Sequence, residues 1–164
     1  MVKLFTINLK IKYRESFRPF AGSILEEDVH EWFDLRGMKS SPTMMYAVNC
    51  QPGIEEKIPS IIHVDGTCRI QSVKREQNPL YYDLIKEFHK QTECPIIFNT
   101  SFNLGGEALV ETIFDAIDTC NRSDINYLYV PEDQTGDIPY ELFKPKKDKH
   151  DNDANDHGVW ESEV

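Results

Sequence analysis

Long apolar runs are missing from this sequence, and no stretch approaches the about 20 consecutive apolar residues that a membrane-spanning helix needs. The first residues also lack the successive charged, apolar and small-residue regions of a secretory signal peptide. These absences predict a chain with no membrane partner and a cytoplasmic location.

Closely spaced cysteines are missing as well. The cysteines lie far apart, with no CxxC motif and no Cys/His pairing of the kind that holds zinc. We therefore expect reduced, buried thiols, which fit a cytosolic compartment, and no metal site built from protein side chains. The cysteines are Cys50, Cys68, Cys94 and Cys120.

Basic residues are scarce: 18 Lys and Arg stand against 28 Asp and Glu, for a formal net charge of −10. This balance disfavours a nucleic-acid partner, because phosphate backbones bind basic surfaces. The 164 residues, 40% of them hydrophobic, predict one globular domain with a core. Acidic residues concentrate beyond Pro131, so we predict a domain over residues 1–130 and an acidic, disordered tail over residues 131–164. The domain can still contain a basic pocket.

Residues 1–13 alternate apolar with basic or polar side chains, which predicts a strand with one basic face. Lys12, Arg14 and Arg18 carry the positive charge onward into the segment FRPF. A guanidinium packed between phenylalanines is suited to grip a phosphate or carboxylate with two parallel hydrogen bonds. The alternative is that these cations only solvate the edge of a sheet.

Residues 23–33 predict a helix, with Ser23 as the N-cap and Glu26 closing a capping box. A strand over residues 43–49 follows. Residues 61–73 then predict a hairpin, because Asp65-Gly66 is a tight-turn signal between two apolar runs.

On the return strand of this hairpin, Cys68 and Ile70 share one face while Arg69 and Gln71 share the other. His63 and Asp65 could form a base with its orienting carboxylate, or Asp65 could simply close the turn through its own backbone.

The second half of the chain predicts two helices and two strands. Asn78 followed by Pro79 is a typical helix start, and Thr112 with Asp115 starts another helix. Residues 95–98 and 125–130 predict strands. The apolar stripes expected to be buried are Leu80, Leu84, Ile85 and Phe88 on the first helix, and Ile113, Phe114, Ile117 and Cys120 on the second. The order of elements predicts an α/β or α+β domain with a mixed sheet.

A loop rich in amide, hydroxyl and glycine groups follows the strand at residues 95–98. Glycine permits close approach of the backbone, and amides and hydroxyls donate hydrogen bonds to anionic oxygens. The loop is therefore either a phosphate or nucleotide pocket or an ordinary polar connection. Its polar side chains are Asn99, Thr100, Ser101 and Asn103.

Three long motifs, in order along the chain, resemble the C-terminal domain of the NodU/CmcH-type O-carbamoyltransferases. They are YRESFRPFAGSILEE, IIHVDGTCRIQSV with the NPLYYDLIKEF that follows, and PIIFNTSFNLGGEALVETIFDAI. The resemblance implies a YrdC/Sua5-like fold, a twisted mixed open sheet with flanking helices. It also implies that the domain binds ATP, Mg²⁺ and carbamoyl phosphate and forms a carbamoyl-adenylate, from which a Kae1-like domain transfers the carbamoyl group to a hydroxyl.

The resemblance also assigns roles to residues. Lys12 and Arg18 resemble the family's phosphate-gripping lysine and arginine, and Arg69 resembles its arginine on the anionic ligand. Ser101 and Asn103 resemble the SxN element that holds the adenylate. From position alone we add Arg14, Gln71, Asn99 and Thr100 to the expected site.

The chain also departs from the family pattern. A family GEP triplet is Gly106-Glu107-Ala108 here, so a looser turn is expected, and FAPS is replaced by FAGS at residues 20–23. No Kae1-like domain accompanies these motifs, which implies a fragment or a separately encoded Kae1-like partner chain. Two other functions stay open: a non-catalytic nucleotide-binding or docking module, and, ranked last, synthesis of threonylcarbamoyl-adenylate for tRNA.

Overall fold

The computed structural model describes residues 7–125 and 127–131. The chain divides into two compact units, with the boundary between Ser101 and Phe102. Residues 1–6 of the predicted first strand and residues 132–164 of the predicted acidic tail lie outside the described residues.

The first unit is built on a mixed sheet. Its described strands are β1 (Ala21–Leu25), β2 (Phe33–Asp34), β3 (Ala47–Cys50), β4 (Thr67–Val73) and β5 (Ile96–Asn99). They lie in the order β2-β3-β4-β1-β5, with β1 parallel to β4 and the other neighbouring pairs antiparallel. This open mixed sheet with its helices confirms the predicted α/β or α+β class. The closer likeness to the YrdC/Sua5 fold stays a prediction.

Four helical segments accompany the described strands: α1 (residues 7–10), α2 (Val29–Trp32), α3 (Pro79–Thr92) and α4 (Ile113–Arg122). Single 3₁₀ turns cover Glu26–Asp28 and Pro59–Ile61. The start of α3 is as predicted, because the Asn78 side chain accepts a hydrogen bond of 3.0 Å from the Tyr81 N–H and Pro79 occupies the first helical position. Within the described residues, no helix has both the length and the apolar character to cross a membrane.

Strand β4 and the turn before it also match the sequence prediction. Gly66 has a positive φ of 80°, and Asp65 Oδ1 accepts hydrogen bonds from the Thr67 N–H at 2.9 Å and the Thr67 hydroxyl at 2.7 Å. The turn interpretation of Asp65 is therefore confirmed. The strand predicted before the turn is wrong: the chain there forms a 3₁₀ turn and a single β-bridge between Ile62 and Cys68.

The predicted N-terminal strand is wrong in the part that the structure describes. Residues 7–10 are helical, Asn8 and Lys12 are buried, and the apolar Leu9 is exposed. Asn8 Nδ2 donates to the carbonyl oxygens of Ser16 at 3.2 Å and Arg18 at 2.6 Å. These buried polar bonds hold the backbone in a shape that alternation of apolar residues does not encode.

The helix predicted from Ser23 is also wrong. Ser23 lies in the middle of β1, between β4 and β5, and all five residues of β1 are buried. Pairing on both sides satisfies the backbone of this segment, so the local capping signature loses to the sheet. Helical structure begins only at Glu26.

The two faces of the sheet have different surroundings. One face carries Ile24, Val48 and Ile70 into the main core, where Phe33 and Val29 also lie. The other face carries a smaller cluster beneath α3, made of Leu25, Val73, Tyr82 and Ile85, with Tyr81 and Ile97 partly buried against it. Helix α3 packs on β1 and β5, at the ends of β1 and β4 that hold Leu25 and Val73.

Four further predictions are corrected. In α3 only Ile85 of the expected stripe is buried, while Leu80 and Leu84 are more than half exposed. In α4 Phe114 is exposed and Ala116 is buried instead, because the inward face of the helix runs through Ala116, Ile117 and Cys120 and leaves Phe114 outside it. Residues 125 and 127–130 are not in a strand, and the strand predicted at residues 43–49 covers only Ala47–Cys50.

Candidate anion-binding site

Polar side chains share one face of the sheet at the end of β1 and β4 that lies away from α3. Ser23 is opposite Gln71 in the parallel pairing of β1 with β4, and Ala21 is opposite Asn99 in the antiparallel pairing with β5. Because side chains alternate along a strand, Arg69 lies on the same face as Gln71. Three neighbouring strands thus bring together residues that are far apart in sequence.

A hydrogen-bonded triad joins these three strands. The Ser23 hydroxyl donates to Gln71 Oε1 at 3.2 Å, and Asn99 Nδ2 donates to the same oxygen at 3.3 Å. Asn99 Nδ2 also donates to Ser23 Oγ. Ser23 is fully buried, while Gln71 and Asn99 are partly exposed. The buried Ser23 hydroxyl therefore holds two amide side chains that are themselves partly exposed.

The N-terminal segment adds arginines to this region. Arg14 Nε donates to Asn8 Oδ1 at 2.7 Å, and the guanidinium lies 4.9 Å from the centroid of the Phe20 ring. The sequence predicted a packed guanidinium for Arg18 between two phenylalanines, and this is wrong: the guanidinium stacked on a ring is that of Arg14, and the ring is Phe20 alone. Arg18 is half exposed and forms an ion pair of 3.1 Å with Glu15.

The electrostatics show that the cations are neighbours. Burial lowers the pKa of Arg14 most, and the positive charges of Arg18 and Arg69 lower it further, while Glu15 opposes them. Burial also lowers the pKa of Lys12, and Arg14 adds to that effect. Cations that destabilise one another in this way would gain from an anionic ligand placed among them.

Lys12 is tied to the loop that follows β5. Its ammonium donates to the backbone oxygen of Ser101 and, at 3.2 Å, to the Ser101 hydroxyl. The structure therefore brings these two predicted site residues together, and Lys12 is buried at this contact. Thr100, between Asn99 and Ser101, is exposed.

Arg69 has the open environment that a ligand-binding arginine needs. It is exposed, and over residues 7–125 and 127–131 no ion pair neutralises its guanidinium. Arg75 makes a useful contrast, because it lies beyond the other end of β4, pairs with Asp83 and stacks 4.9 Å from the centroid of the Tyr82 ring.

Asn103 belongs to the second unit, whereas Ser101 ends the first. Asn103 Nδ2 donates to the backbone oxygen of Glu107 at 2.8 Å. Arg122 binds the Glu107 carboxylate through two hydrogen bonds of 2.7 and 2.9 Å. These hydrogen bonds hold the turn where Ala108 replaces the proline of the family's GEP triplet.

Ser23 and Asn8 are the site residues that sequence reasoning missed. Ser23 carried a signal of its own, since it is a polar residue inside the apolar run AGSIL, where burial requires a hydrogen-bond partner. Asn8 carried none, because its role depends on how residues 7–18 fold back on themselves. Among the residues that the structure describes, no three His, Cys, Asp or Glu side chains are grouped so that they could hold a metal ion.

Comparison with known proteins matches this chain to one family and to several curated relatives. The family described as Carbamoyltransferase C-terminus matches residues 3–134. Nodulation protein NolO of Bradyrhizobium diazoefficiens is 45% identical over 125 residues, which are 76% of this chain and 23% of that protein. An uncharacterized protein of Synechocystis, sll1178, is 41% identical over 74% of this chain and 23% of its own length. Nodulation protein NolNO of Sinorhizobium fredii is 40% identical over 76% of this chain and 18% of its own length. The chain thus spans about a fifth of the length of these relatives.

Proposed function

This chain belongs to the carbamoyltransferase C-terminus family, and from that premise we propose that it is the carbamoyl-adenylate-forming module of an O-carbamoyltransferase. It binds ATP and carbamoyl phosphate and activates the carbamoyl group. The observation that carries this proposal is the grouping of Arg14, Arg18 and Arg69 around one end of the sheet, beside the uncharged amides of Gln71 and Asn99.

Both ligands bring several negative charges to one place, and those charges repel each other unless cations neutralise them. An exposed arginine can bind a phosphate with two parallel hydrogen bonds. The amide and hydroxyl groups can then orient the ligand without adding charge. Positioning and charge neutralisation therefore account for what the described residues do, and no covalent nucleophile is required.

The reaction conserves atoms when one water molecule is consumed. This water hydrolyses carbamoyl phosphate to carbamate and inorganic phosphate. An oxygen of the carbamate then forms a bond to the α-phosphorus of ATP. The bond from that phosphorus to the bridging oxygen breaks, so pyrophosphate leaves. The products are carbamoyl-adenylate, phosphate and pyrophosphate, and pyrophosphate is the one whose release reports adenylate formation.

Magnesium would enter with the nucleotide. The charged side chains grouped at the site are cationic, whereas Mg²⁺ prefers oxygen ligands and commonly keeps substrate phosphates among them. These residues therefore do not themselves fit a resident magnesium ion. When present, Mg²⁺ would supply further charge neutralisation on the phosphates.

Transfer of the carbamoyl group to a hydroxyl would fall to a Kae1-like domain, in the rest of a longer protein or on a separate chain. The small share of each relative that this chain spans supports such a division of labour. The acceptor hydroxyl would be recognised by that domain.

Titration calorimetry of ATP with Mg²⁺, and of carbamoyl phosphate, tests the proposal. We expect both to bind, and Arg69→Ala to weaken each by about tenfold or more, since a charge-assisted hydrogen bond contributes about 1.5–3 kcal/mol. Arg75→Ala is the matched control, an arginine beyond the opposite end of the same strand, and should bind like the wild type. A wild-type chain that binds neither ligand would refute the proposal, and equal effects of the two substitutions would remove Arg69 from the site.

A further inference from the structure

In the amides of Gln71 and Asn99, one terminal atom is hydrogen-bonded within the triad with Ser23. The other terminal atom of each amide is therefore available to a ligand. Gln71 Oε1 accepts hydrogen bonds from Ser23 at 3.2 Å and from Asn99 at 3.3 Å, and Asn99 Nδ2 also donates to Ser23. The opposite atoms are Gln71 Nε2, a donor, and Asn99 Oδ1, an acceptor. Among the described residues neither atom has a hydrogen-bond partner, and neither is sealed from solvent.

Ser23 couples the orientations of the two amides. Its hydroxyl has one proton to donate and two lone pairs to accept with. It gives the proton to Gln71 Oε1 and accepts from Asn99 Nδ2, and because it has only one proton the two amides face it with opposite ends. One outward end is therefore a donor and the other an acceptor. Because Ser23 is fully buried between two paired strands, its hydroxyl stays in place to bind both amides.

The resulting donor and acceptor lie next to the arginine proposed to bind phosphate. Gln71 follows Arg69 by two residues on the same face of β4, which places their Cα atoms about 7 Å apart. A ligand that fits this arrangement has a phosphate at one end and, at the other, a planar group with one acceptor and one donor. The carbamoyl group has this pattern, with a carbonyl oxygen beside an amino group.

Building on the proposed function, we propose that Ser23 is a positioning residue that makes the site selective for the carbamoyl group. Gln71 Nε2 donates to the carbamoyl oxygen, and Asn99 Oδ1 accepts from the carbamoyl amino group. Acetyl phosphate has a methyl group in place of the amino group. It would leave the Asn99 oxygen without a donor, and the site would discriminate against it for that reason.

The test compares the dissociation constants of carbamoyl phosphate and acetyl phosphate. The wild-type chain should prefer carbamoyl phosphate by about tenfold or more, as expected for one hydrogen bond whose loss leaves a polar group unpaired. Ser23→Ala removes the hydroxyl that couples the two amides, so either amide can flip alone and the preference should fall to about threefold or less. Asn99→Ala removes the acceptor itself and should have the same effect, which keeps the test decisive if Ser23→Ala does not fold.

Ser72→Ala is the matched control. Ser72 is also buried and hydrogen-bonded, since its hydroxyl accepts from the Ser41 N–H at 2.9 Å, but it lies on the opposite face of the sheet. A role in stability alone would make the Ser23 and Ser72 substitutions equivalent. The preference for carbamoyl phosphate should instead survive in Ser72→Ala.

The outcomes separate this inference from the proposed function. If the wild type binds carbamoyl phosphate and Ser23→Ala weakens both ligands by the same factor, the selectivity role is refuted while the proposed function stands. Equal wild-type affinity for carbamoyl phosphate and acetyl phosphate would likewise refute the selectivity role and leave the proposed function standing. If the wild type binds neither ligand, both proposals fail together.

Discussion

Lys12 and Ser101 are joined by hydrogen bonds although 89 residues separate them in sequence. The ammonium of Lys12 holds the backbone oxygen and the hydroxyl of Ser101, at the start of the loop that follows the edge strand β5. The contact links the segment that contains Lys12 to that loop. It therefore helps to position the segment that carries Arg14 and the loop that begins after Asn99.

Replacing Lys12 with methionine keeps most of the side-chain volume but removes the donor. We expect the free energy of unfolding to fall by about 1.5–3 kcal/mol, the range for hydrogen bonds to charged groups. The affinity for ATP should fall as well, since a cation is lost from the site. Chemical denaturation and calorimetry measure the two effects, with Lys39→Met, an exposed lysine, as the control. A Lys12→Met chain as stable as this control would show that the contact contributes little.

Gly22 occupies a position where a side chain has no room. A Cβ atom there would lie 2.7 Å from Ile61 Cδ1 and 3.0 Å from Ile96 Cγ2. We expect Gly22→Ala to destabilise the chain by about 1–3 kcal/mol, because overpacking outweighs the usual gain from replacing glycine in a strand.

Ile61→Val removes the nearer of the two contacting atoms and gives this prediction a specific check. Alone it should cost about 0.5–1.5 kcal/mol. Combined with Gly22→Ala it should recover part of the loss, so that the two changes are not additive in denaturation experiments. Strict additivity would contradict the proposed clash.

Asp115 gives the stability of α4 a predictable pH dependence. The Thr112 hydroxyl and N–H donate to its carboxylate at 2.8 and 2.9 Å, and these bonds lower the pKa of Asp115. The unfolded chain has the ordinary value, about 3.9. Because the folded pKa is the lower one, this contribution to stability is fully present above the ordinary value and is lost as the pH falls through the folded value.

Thr112→Val removes the hydroxyl that contributes most to this lowering. The pKa of Asp115 should then rise toward its ordinary value, which an NMR titration of side-chain carboxyl carbons would detect. Glu87, whose pKa is lowered chiefly by its hydrogen bond from Lys90, serves as an internal reference that should not change. An unaltered Asp115 titration would mean that the capping box does not form in solution.

Local signals predicted the elements that local interactions determine. The turn at Asp65-Gly66 and the alternation after it defined β4, and Asn78 with Pro79 defined the start of α3. In each case a side chain binds its own neighbouring backbone, so the information lies within a few residues.

The sequence-based predictions failed where residues far apart in sequence determine the structure. Ser23 resembles an N-cap from its own neighbours, but pairing of β1 with both β4 and β5 makes it the buried centre of the sheet. Lys12 was expected on a strand, whereas its buried contact with Ser101 requires a chain that folds back. The prediction that Arg69 and Gln71 share a face depended only on strand alternation, and the structure confirms it.

The ligand-binding roles of the site residues stay predictions, because only binding experiments can test them. The structure brings Lys12 to Ser101, and Gln71 to Asn99, which supports a common site in the first unit. Asn103 lies in the second unit, so its expected partnership with Ser101 on an adenylate depends on binding experiments.

The release of pyrophosphate from ATP reports directly whether this chain forms a carbamoyl-adenylate. The purified chain would be mixed with ATP and Mg²⁺, with and without carbamoyl phosphate, and pyrophosphate would be measured over time. We expect release that requires carbamoyl phosphate and that is lost in Arg69→Ala but retained in Arg75→Ala. ATP binding without any release that depends on carbamoyl phosphate would contradict an adenylate-forming role and would favour a non-catalytic binding module.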